Sequence, residues 1–258
     1  MSLLGPDSTD ARLTQLKQWL QPLTSRHGLA LDSLRPASAD ASFRRYFRLD
    51  CENTQHASLI VMDAPPPQEA TGPFVKVARL MRAAQLHVPE VLAHDEAAGF
   101  VLLTDLGATT YLTALLETQR NEDHATAHTL MLDAIEALVR WQAASQPSVL
   151  PPYDAALLRR ELELFPEWYI TRHVGHTLTD TERTTLQQLF DTILQANLAQ
   201  GQVYVHRDYM PRNLMLATPN PGILDFQDAV FGPIAYDVAS LMRDAFISWD
   251  EARVLDWT

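Results

Sequence analysis

The stretch Gly201–Tyr236 reads GQVYVHRDYMPRNLMLATPNPGILDFQDAVFGPIAY, and its short apolar runs broken by turn residues decide how the whole chain is read. One run, Val203–Val205, delivers His206-Arg207-Asp208 to a loop, and Asn213 follows five residues after Asp208. A second run, Leu214–Ala217, leads into Thr218-Pro219-Asn220-Pro221-Gly222, and a third, Ile223-Leu224, delivers Asp225. Proline and glycine at that spacing predict a turn between two strands. Antiparallel pairing then brings Asn213, at the start of one strand, and Asp225, at the end of the other, to the same end of the ribbon beside the Asp208 loop.

Those three side chains suit one chemistry. Phosphoryl transfer needs a carboxylate beside the accepting hydroxyl, and oxygen ligands that hold Mg²⁺ against nucleotide phosphates. The order H-R-D-x-x-x-x-N followed by D-F is the catalytic loop and metal-binding segment of the protein-kinase-like fold. Asp208 is accordingly read as the group that meets the hydroxyl, and Asn213 and Asp225 as metal ligands. Asn and Asp also cap turns, but the spacing of this pair from Asp208 favours ligation. His206 is read as packed support for the loop, and Asp237 as a backbone-bonding residue.

Composition narrows the rest. The chain has 258 residues, 47% of them hydrophobic, enough for one large domain or two lobes with a core. It shows no basic-then-apolar leader and no apolar run near about 18 residues, so neither secretion nor a membrane span is expected. Cys51 is the single cysteine, which rules out an internal disulfide and suits a reducing cytoplasm. A formal charge of −12 with no basic tract argues against a nucleic-acid partner.

Ahead of the ribbon the period changes along the chain. Leu13, Leu16, Leu20 and Leu23 predict a leading helix over Ala11–Leu23 with Asp10 as N-cap. Phe43, Arg45, Phe47 and Leu49 alternate with Arg44, Tyr46 and Arg48 as a strand, Glu52–Gln55 reads as a hairpin turn, and Ser58–Met62 returns. The prolines after Asp63 end that strand. A helix over Phe74–Leu86 follows, then strands Val91–His94 and Phe100–Thr104. From Leu106 to Gly201 the pattern is helical. Asn121 is placed as the cap of a helix through Ser145 with Leu132, Ile135, Leu138, Val139 and Trp141 as its buried stripe. Further helices are expected over Asp154–Ile170 and Asp180–Ala199, with Gly201 as the last one's stop. After the ribbon, a helix over Tyr236–Phe246 is preceded by Gly232-Pro233, and Ser248-Trp249-Asp250-Glu251 has the form of a capping box. The expectation is an α+β, bilobal, protein-kinase-like fold. Residues 1–105 form a small antiparallel-sheet lobe and residues 106–258 a mostly helical lobe, with a cleft between them. The last helix runs barely two turns before Thr258, which predicts that C-terminal helices of the lobe are missing.

The segments His206–Asn213 (HRDYMPRN), Leu224–Asp228 (LDFQD) and Gly232–Asp237 (GPIAYD) resemble the aminoglycoside phosphotransferase-like kinases, which phosphorylate small-molecule hydroxyls. Within that family, HRDYMPRNLM, Val61–Pro67 (VMDAPPP) and Leu164–Tyr169 (LFPEWY) are most similar to bacterial kinases that act on the anomeric hydroxyl of N-acetylmuramate and N-acetylglucosamine in peptidoglycan recycling. The resemblance implies ATP and Mg²⁺ as cofactors, Asp208 as base or orienting acid for the sugar hydroxyl, and Asn213 and Asp225 as Mg²⁺ ligands. It also implies that the backbone of Thr104, Asp105 and Leu106 binds the adenine edge. Three features depart from the pattern. No lysine lies near Ile60–Met62, no glutamate lies in the Phe74–Leu86 helix, and Ala37–Phe43 lacks glycine. Phosphate charge must then be met elsewhere, with Arg44, Arg48 or Lys76 as candidates.

For the acceptor, Arg212 fits both a substrate contact and a plain surface arginine. Asp228 fits both sugar hydroxyls and loop support. Glu167 and Trp168 fit a sugar-stacking edge, though a helical tryptophan is more often core. Two other functions share this frame. An aminoglycoside or amino-alcohol phosphotransferase would draw its polycationic acceptor to the acidic chain. A nucleotide-binding scaffold without turnover would explain the missing lysine, but it leaves the complete Asp208/Asn213/Asp225 set without a purpose.

Overall fold

The computed structural model describes residues 11–39, 43–52 and 56–258. Asp10, residues 40–42 of the glycine-free loop and residues 53–55 of the expected hairpin turn lie outside the described residues. The chain divides into two compact units, Met1–Arg82 with His87–Ala108, and Ala83–Leu86 with Thr109–Thr258. Among the described residues no helix is long and apolar enough to cross a membrane.

In the first unit, five strands form an antiparallel sheet in the order β1-β2-β3-β5-β4: β1 Arg35–Ala39, β2 Arg45–Asp50, β3 Ser58–Asp63, β4 Val91–Asp95 and β5 Phe100–Thr104. Strand alternation sorts β3 into two faces. Leu59 and Val61 join Leu49, Phe100 and Leu102 in a core closed by Leu16 and Leu20 of α1 (Ala11–Leu20). The leucine spacing of the leading segment is what makes that helix amphipathic, although Leu13 and Leu23 are only partly buried and the last turn tightens to 3₁₀ before the single-turn helix α2 (Thr24–His27). Ile60 and Met62 take the opposite face. The helix α3 (Gly72–Ala83) buries Phe74, Val75, Val77, Ala78 and Met81, and it ends three residues short of the expected Leu86.

Asp63 ends β3 with no exposed side-chain surface and ties the leading helix to the sheet. Its Oδ1 accepts from Arg12 Nε at 2.7 Å, and its Oδ2 accepts from Arg45 Nη2 at 2.6 Å. Arg12 also donates to the Ala98 carbonyl and lies over the Phe100 ring.

The second unit is mostly helical. It runs from α4 (Tyr111–Arg120) and α5 (His124–Ala143) to α6 (Ala155–Leu162), a π-helical stretch Phe165–His173, and α7 (Asp180–Leu198). Asp123 caps α5, accepting from Thr126 N, while Asn121 terminates α4. The buried stripe of α5 is Ala127, Leu130, Met131, Ala134, Ala137, Leu138 and Trp141. Leu132 and Val139 are instead 45% and 56% exposed. Each lies one residue beyond Met131 and Leu138, and one residue turns a helix by about 100°, off the packed face. The expected helix Asp154–Ile170 has Asp154 as its N-cap and widens into the π-helical stretch after α6. For α7 the stop is Ala199 in right-handed geometry, not Gly201.

Beyond α7, β6 (Gln202–Val205) pairs with β9 (Val230–Pro233), and β7 (Leu214–Met215) pairs with β8 (Gly222–Ile223). Gly232-Pro233 is therefore strand and not a helix lead-in. Pro233 stands at the strand's end, where a missing N–H costs no interior ladder bond. The helix α8 runs only Tyr236–Met242, and α9 (Glu251–Trp257) is capped by Asp250 and not by Ser248.

Replacing Asp63 by Asn leaves two partly buried guanidinium groups without a full counter-charge. A loss of about 2–3 kcal/mol in unfolding free energy is expected from urea titration. A change within about 0.5 kcal/mol would show that α1 is held by its leucines alone.

Candidate active site

The loop after β6 exposes three successive amides that neither a helix nor a sheet can satisfy, and side chains take all three. The N–H groups of His206 and Arg207 donate to Oδ2 and Oδ1 of Asp237 at 2.6 and 3.0 Å. The Asp208 N–H donates to His206 Nδ1 at 3.3 Å. Because Nδ1 accepts, the ring proton sits on Nε2, which donates to the Leu224 carbonyl at 3.0 Å. His206 thus joins the Asp208 loop to the strand that delivers Asp225. It is wholly buried, and burial drives its pKa down to about 4, so it is a neutral support as its sequence context suggests. Tyr209 pins the other side of the loop through its hydroxyl to the Ala134 carbonyl of α5 at 2.7 Å.

The ribbon closes as its turn residues predict, with Leu214 opposite Ile223. Leu224 N donates to the Asn213 carbonyl at 2.9 Å, which sets Asn213 and Asp225 side by side. Asn213 Nδ2 donates to the Asp208 carbonyl at 2.9 Å and approaches Asp225 Oδ2 at 3.4 Å. Asp225 has a left-handed φ of +62°, and its Oδ1 accepts from Gln227 Nε2 at 2.8 Å. Asp208, Asn213 and Asp225 are therefore brought together. Burial raises the Asp208 carboxyl above the usual carboxylate range. The charges of Asp225, Asp228 and Glu161 push the same way, and Arg207 opposes them.

Among the described residues, no trio of His, Cys, Asp or Glu could hold a metal ion. The donors on offer are one carboxylate and one amide oxygen, from Asp225 and Asn213. That set fits Mg²⁺, which takes one or two protein oxygens and completes its shell with water and phosphate.

The other expected site residues fare differently. Arg212 is exposed and lies over the Phe246 ring, 5.1 Å from its centroid. Asp228 is exposed. Trp168 is 54% exposed, so it is not a core residue. Arg172 stacks on its ring at 3.8 Å and pairs with Glu167 at 2.8 Å.

In the first unit, Arg48 donates to both oxygens of Asp105 at 2.5 and 3.0 Å and to the Gly107 carbonyl. Burial would raise the Asp105 carboxyl, but Arg48, Ser58 and the Gly107 amide outweigh it and hold it low. Arg44, just ahead of β2, is ion-paired with Glu69 at 2.8 Å. Thr104 N–H is spent on the Glu90 carbonyl at 3.1 Å. Lys76 is exposed on α3.

This arrangement defines a phosphotransferase of the kinase type. Residues 33–257 match the phosphotransferase enzyme family, and the chain belongs to it. Its relatives include the N-acetylmuramate/N-acetylglucosamine kinases of Pseudomonas putida and Pseudomonas aeruginosa. Each is 49% identical, over 96% of this chain and 72% of the relative. The counterpart in Neisseria meningitidis is 47% identical over 95% and 70%. Solved structures share the bilobal fold at low identity. The ADP-bound aminoglycoside phosphotransferase APH(2'')-Ib gives a TM-score of 0.65 at 14% identity, covering 97% of this chain and 82% of that one. The streptomycin–ATP complex of APH(2")-IIa gives 0.63 at 15%, covering 98% and 83%.

Two buried groups here titrate in opposite senses. His206 stays neutral in the fold down to about pH 4, whereas the unfolded chain takes up its proton near 6.5, so stability falls as pH drops through that window. Burial pushes Asp237 up to about 7 against its two amide bonds, so the fold takes up that proton first and stability rises as pH drops from about 7. The pair should leave wild-type stability nearly level between about pH 6.5 and 4. Asp237→Asn, itself costing about 1–3 kcal/mol at neutral pH, should uncover a fall on the order of 1 kcal/mol per pH unit. Urea midpoints across that range check it, and a level profile in the variant would contradict it.

Proposed function

We propose that this chain is an ATP-dependent kinase that phosphorylates the anomeric hydroxyl of N-acetylmuramate or N-acetylglucosamine, as in peptidoglycan recycling. The observation that carries this is the assembly of Asp208, Asn213 and Asp225 in one hydrogen-bonded cluster, in a chain half identical to kinases named for those two sugars.

In this reading Asp208 orients the sugar hydroxyl and accepts its proton as the oxygen attacks the γ-phosphorus. The hydroxyl O–H bond breaks, the new P–O bond forms, and the bond to ADP breaks in line. Asn213 and Asp225 would hold the ion, which would supply charge neutralisation on the phosphates when bound. The elevated proton affinity of Asp208 makes it a better base than an exposed aspartate, and the neighbouring carboxylates are one reason for it. The complete set also speaks against a scaffold without turnover.

The first lobe, residues 1–105, binds nucleotide in this reading, and residues 106–258 carry the chemistry. With Thr104 N–H occupied, the adenine edge falls to the backbone of Asp105 and Leu106. Arg48 shapes that segment through Asp105, and Arg44 is the better phosphate contact. Arg212, Asp228, Glu167 and Trp168 are assigned to the acceptor side, where the exposed Trp168 ring offers a stacking face. A lone cysteine suits the cytoplasm.

Phosphorus NMR after incubation with Mg-ATP and either sugar should show a signal coupled to the anomeric proton. Phosphorylation of an aminoglycoside with neither sugar consumed would replace this acceptor with that one. Asp208→Asn should lower kcat by about 10²–10⁴-fold. Asn213→Ala and Asp225→Ala should raise the Mg²⁺ concentration needed for half-maximal rate, and unchanged turnover in Asp208→Asn would sink the mechanism.

A further inference from the structure

Arg207 occupies a backbone conformation that suits glycine. Its φ is +80°, a region unfavourable to a residue with a side chain unless its surroundings hold it there. The holding is visible at both ends of the residue. Its amide is bound by Asp237, and its guanidinium Nη2 donates to Glu161 Oε1 of α6 at 2.7 Å.

Glu161 is the centre of a small closed network. Its Oε2 accepts from Tyr236 OH at 2.9 Å and from Tyr153 OH. The rings of Tyr153 and Tyr236 lie 5.0 Å apart, and the Arg207 guanidinium lies over Tyr153 at 5.8 Å. Tyr153 is itself fixed. Its N–H donates to the Phe231 carbonyl at 2.8 Å, and it packs on Gly232, where an added Cβ would stand 2.5 Å from Tyr153 Cβ. Tyr236 and Asp237 are neighbours in the first turn of α8, so one helix end grips both the side-chain network and the backbone of residue 207. The Arg207 torsions immediately precede Asp208, and nothing lies between them to absorb an error.

We infer that Glu161 is a positioning residue for Asp208, acting through Arg207 to hold the loop in the conformation that aims the carboxylate. The inference rests on the phosphotransferase reading above, but its geometry is read from α6, the loop and α8 alone. Charge supports it. Burial would lower the proton affinity of Arg207, and the bond to Glu161 more than reverses this. The charged groups acting on Asp208 are Asp225, Arg207, Asp228 and Glu161. The two ends of this pair thus act on the carboxylate with opposite sign.

The test uses the full chain with Glu161→Gln and Arg207→Gly. With Mg-ATP and N-acetylglucosamine, each variant should lose about 10–100-fold in kcat, the scale of a small misplacement, with KM within about threefold. Amide hydrogen exchange should quicken at Arg207 and Asp208 in Glu161→Gln while the Leu214–Met215 and Gly222–Ile223 ribbon keeps its protection. A network that served folding alone would speed exchange across α6, α8 and the ribbon alike. Should either variant fail to fold, Tyr153→Phe removes one hydroxyl from the network and should lower kcat by up to about fivefold. Arg207→Gly that keeps kcat within about twofold and melts higher than wild type would overturn the inference, because the arginine would then be merely tolerated strain. A wild-type protein that makes no sugar phosphate, in which Glu161→Gln still quickens exchange at Arg207 and Asp208 alone, would remove the sugar reading and leave the positioning intact.

Discussion

A single buried carboxylate organises the catalytic half of this protein. Asp237 has no exposed surface and satisfies two adjacent amides, His206 and Arg207, that belong to no regular element. Desolvation makes such a group costly unless its lone pairs are used, and here two are used by backbone that has no other buried partner. The exchange is mutual. Without the carboxylate the loop would carry unsatisfied donors, and without the loop the carboxylate would be stranded. His206 extends the arrangement by accepting from the next amide and donating to the strand of Asp225. Three consecutive donors and one neutral imidazole thereby set the Asp208 and Asp225 segments in one frame.

That frame explains how two positions beside the proposed chemistry keep a strained backbone. Arg207 and Asp225 both adopt positive φ without being glycine. Each is held by side-chain bonds on both sides, to Asp237 and Glu161 in one case and to Gln227 and Asn213 in the other. The same crowding places Asp225 and Asp228 where their charges raise the proton affinity of Asp208. A cation accepted by Asn213 and Asp225 would find part of its binding energy in relieving that repulsion.

Much of this was legible because it is local. The strand–turn–strand needs only proline, glycine and short apolar runs, and the offset from Asp208 to Asn213 and Asp225 is set within eighteen residues of chain. What escaped reading was either a small phase error or a long-range pairing. Asn121 and Asp123 are both good caps two residues apart, and only packing selects Asp123. Leu132 and Val139 are apolar on a helix that buries the neighbouring residues instead. The β9 strand hides behind Gly-Pro, which reads as punctuation until β6 is there to pair with it. Glu161 lies 46 residues from Arg207, on a helix whose charged residues look like a solvated face. No periodicity marks a glutamate whose partners are two tyrosines and an arginine from three other segments.

The missing lysine has a related logic in the first unit. Strand β2 and the residue before it carry Arg44, Arg45 and Arg48, and each is matched to a carboxylate: Glu69, Asp63 (shared with Arg12) and Asp105. Alternation puts Arg45 on the face that α1 covers, with Arg44 and Arg48 on the face of Ile60 and Met62. The arginines of this alternating strand thus make three separate ties, to a loop, to the end of β3 and to a connector. The tie to Asp105 has the widest effect. It fixes a carboxylate that also accepts from Ser58 and the Gly107 amide, and the same guanidinium reaches the Gly107 carbonyl at φ +100°. An arginine expected on phosphate therefore shapes the connecting backbone. Arg44, held by Glu69 on the face of Ile60 and Met62, keeps the phosphate role proposed for it above.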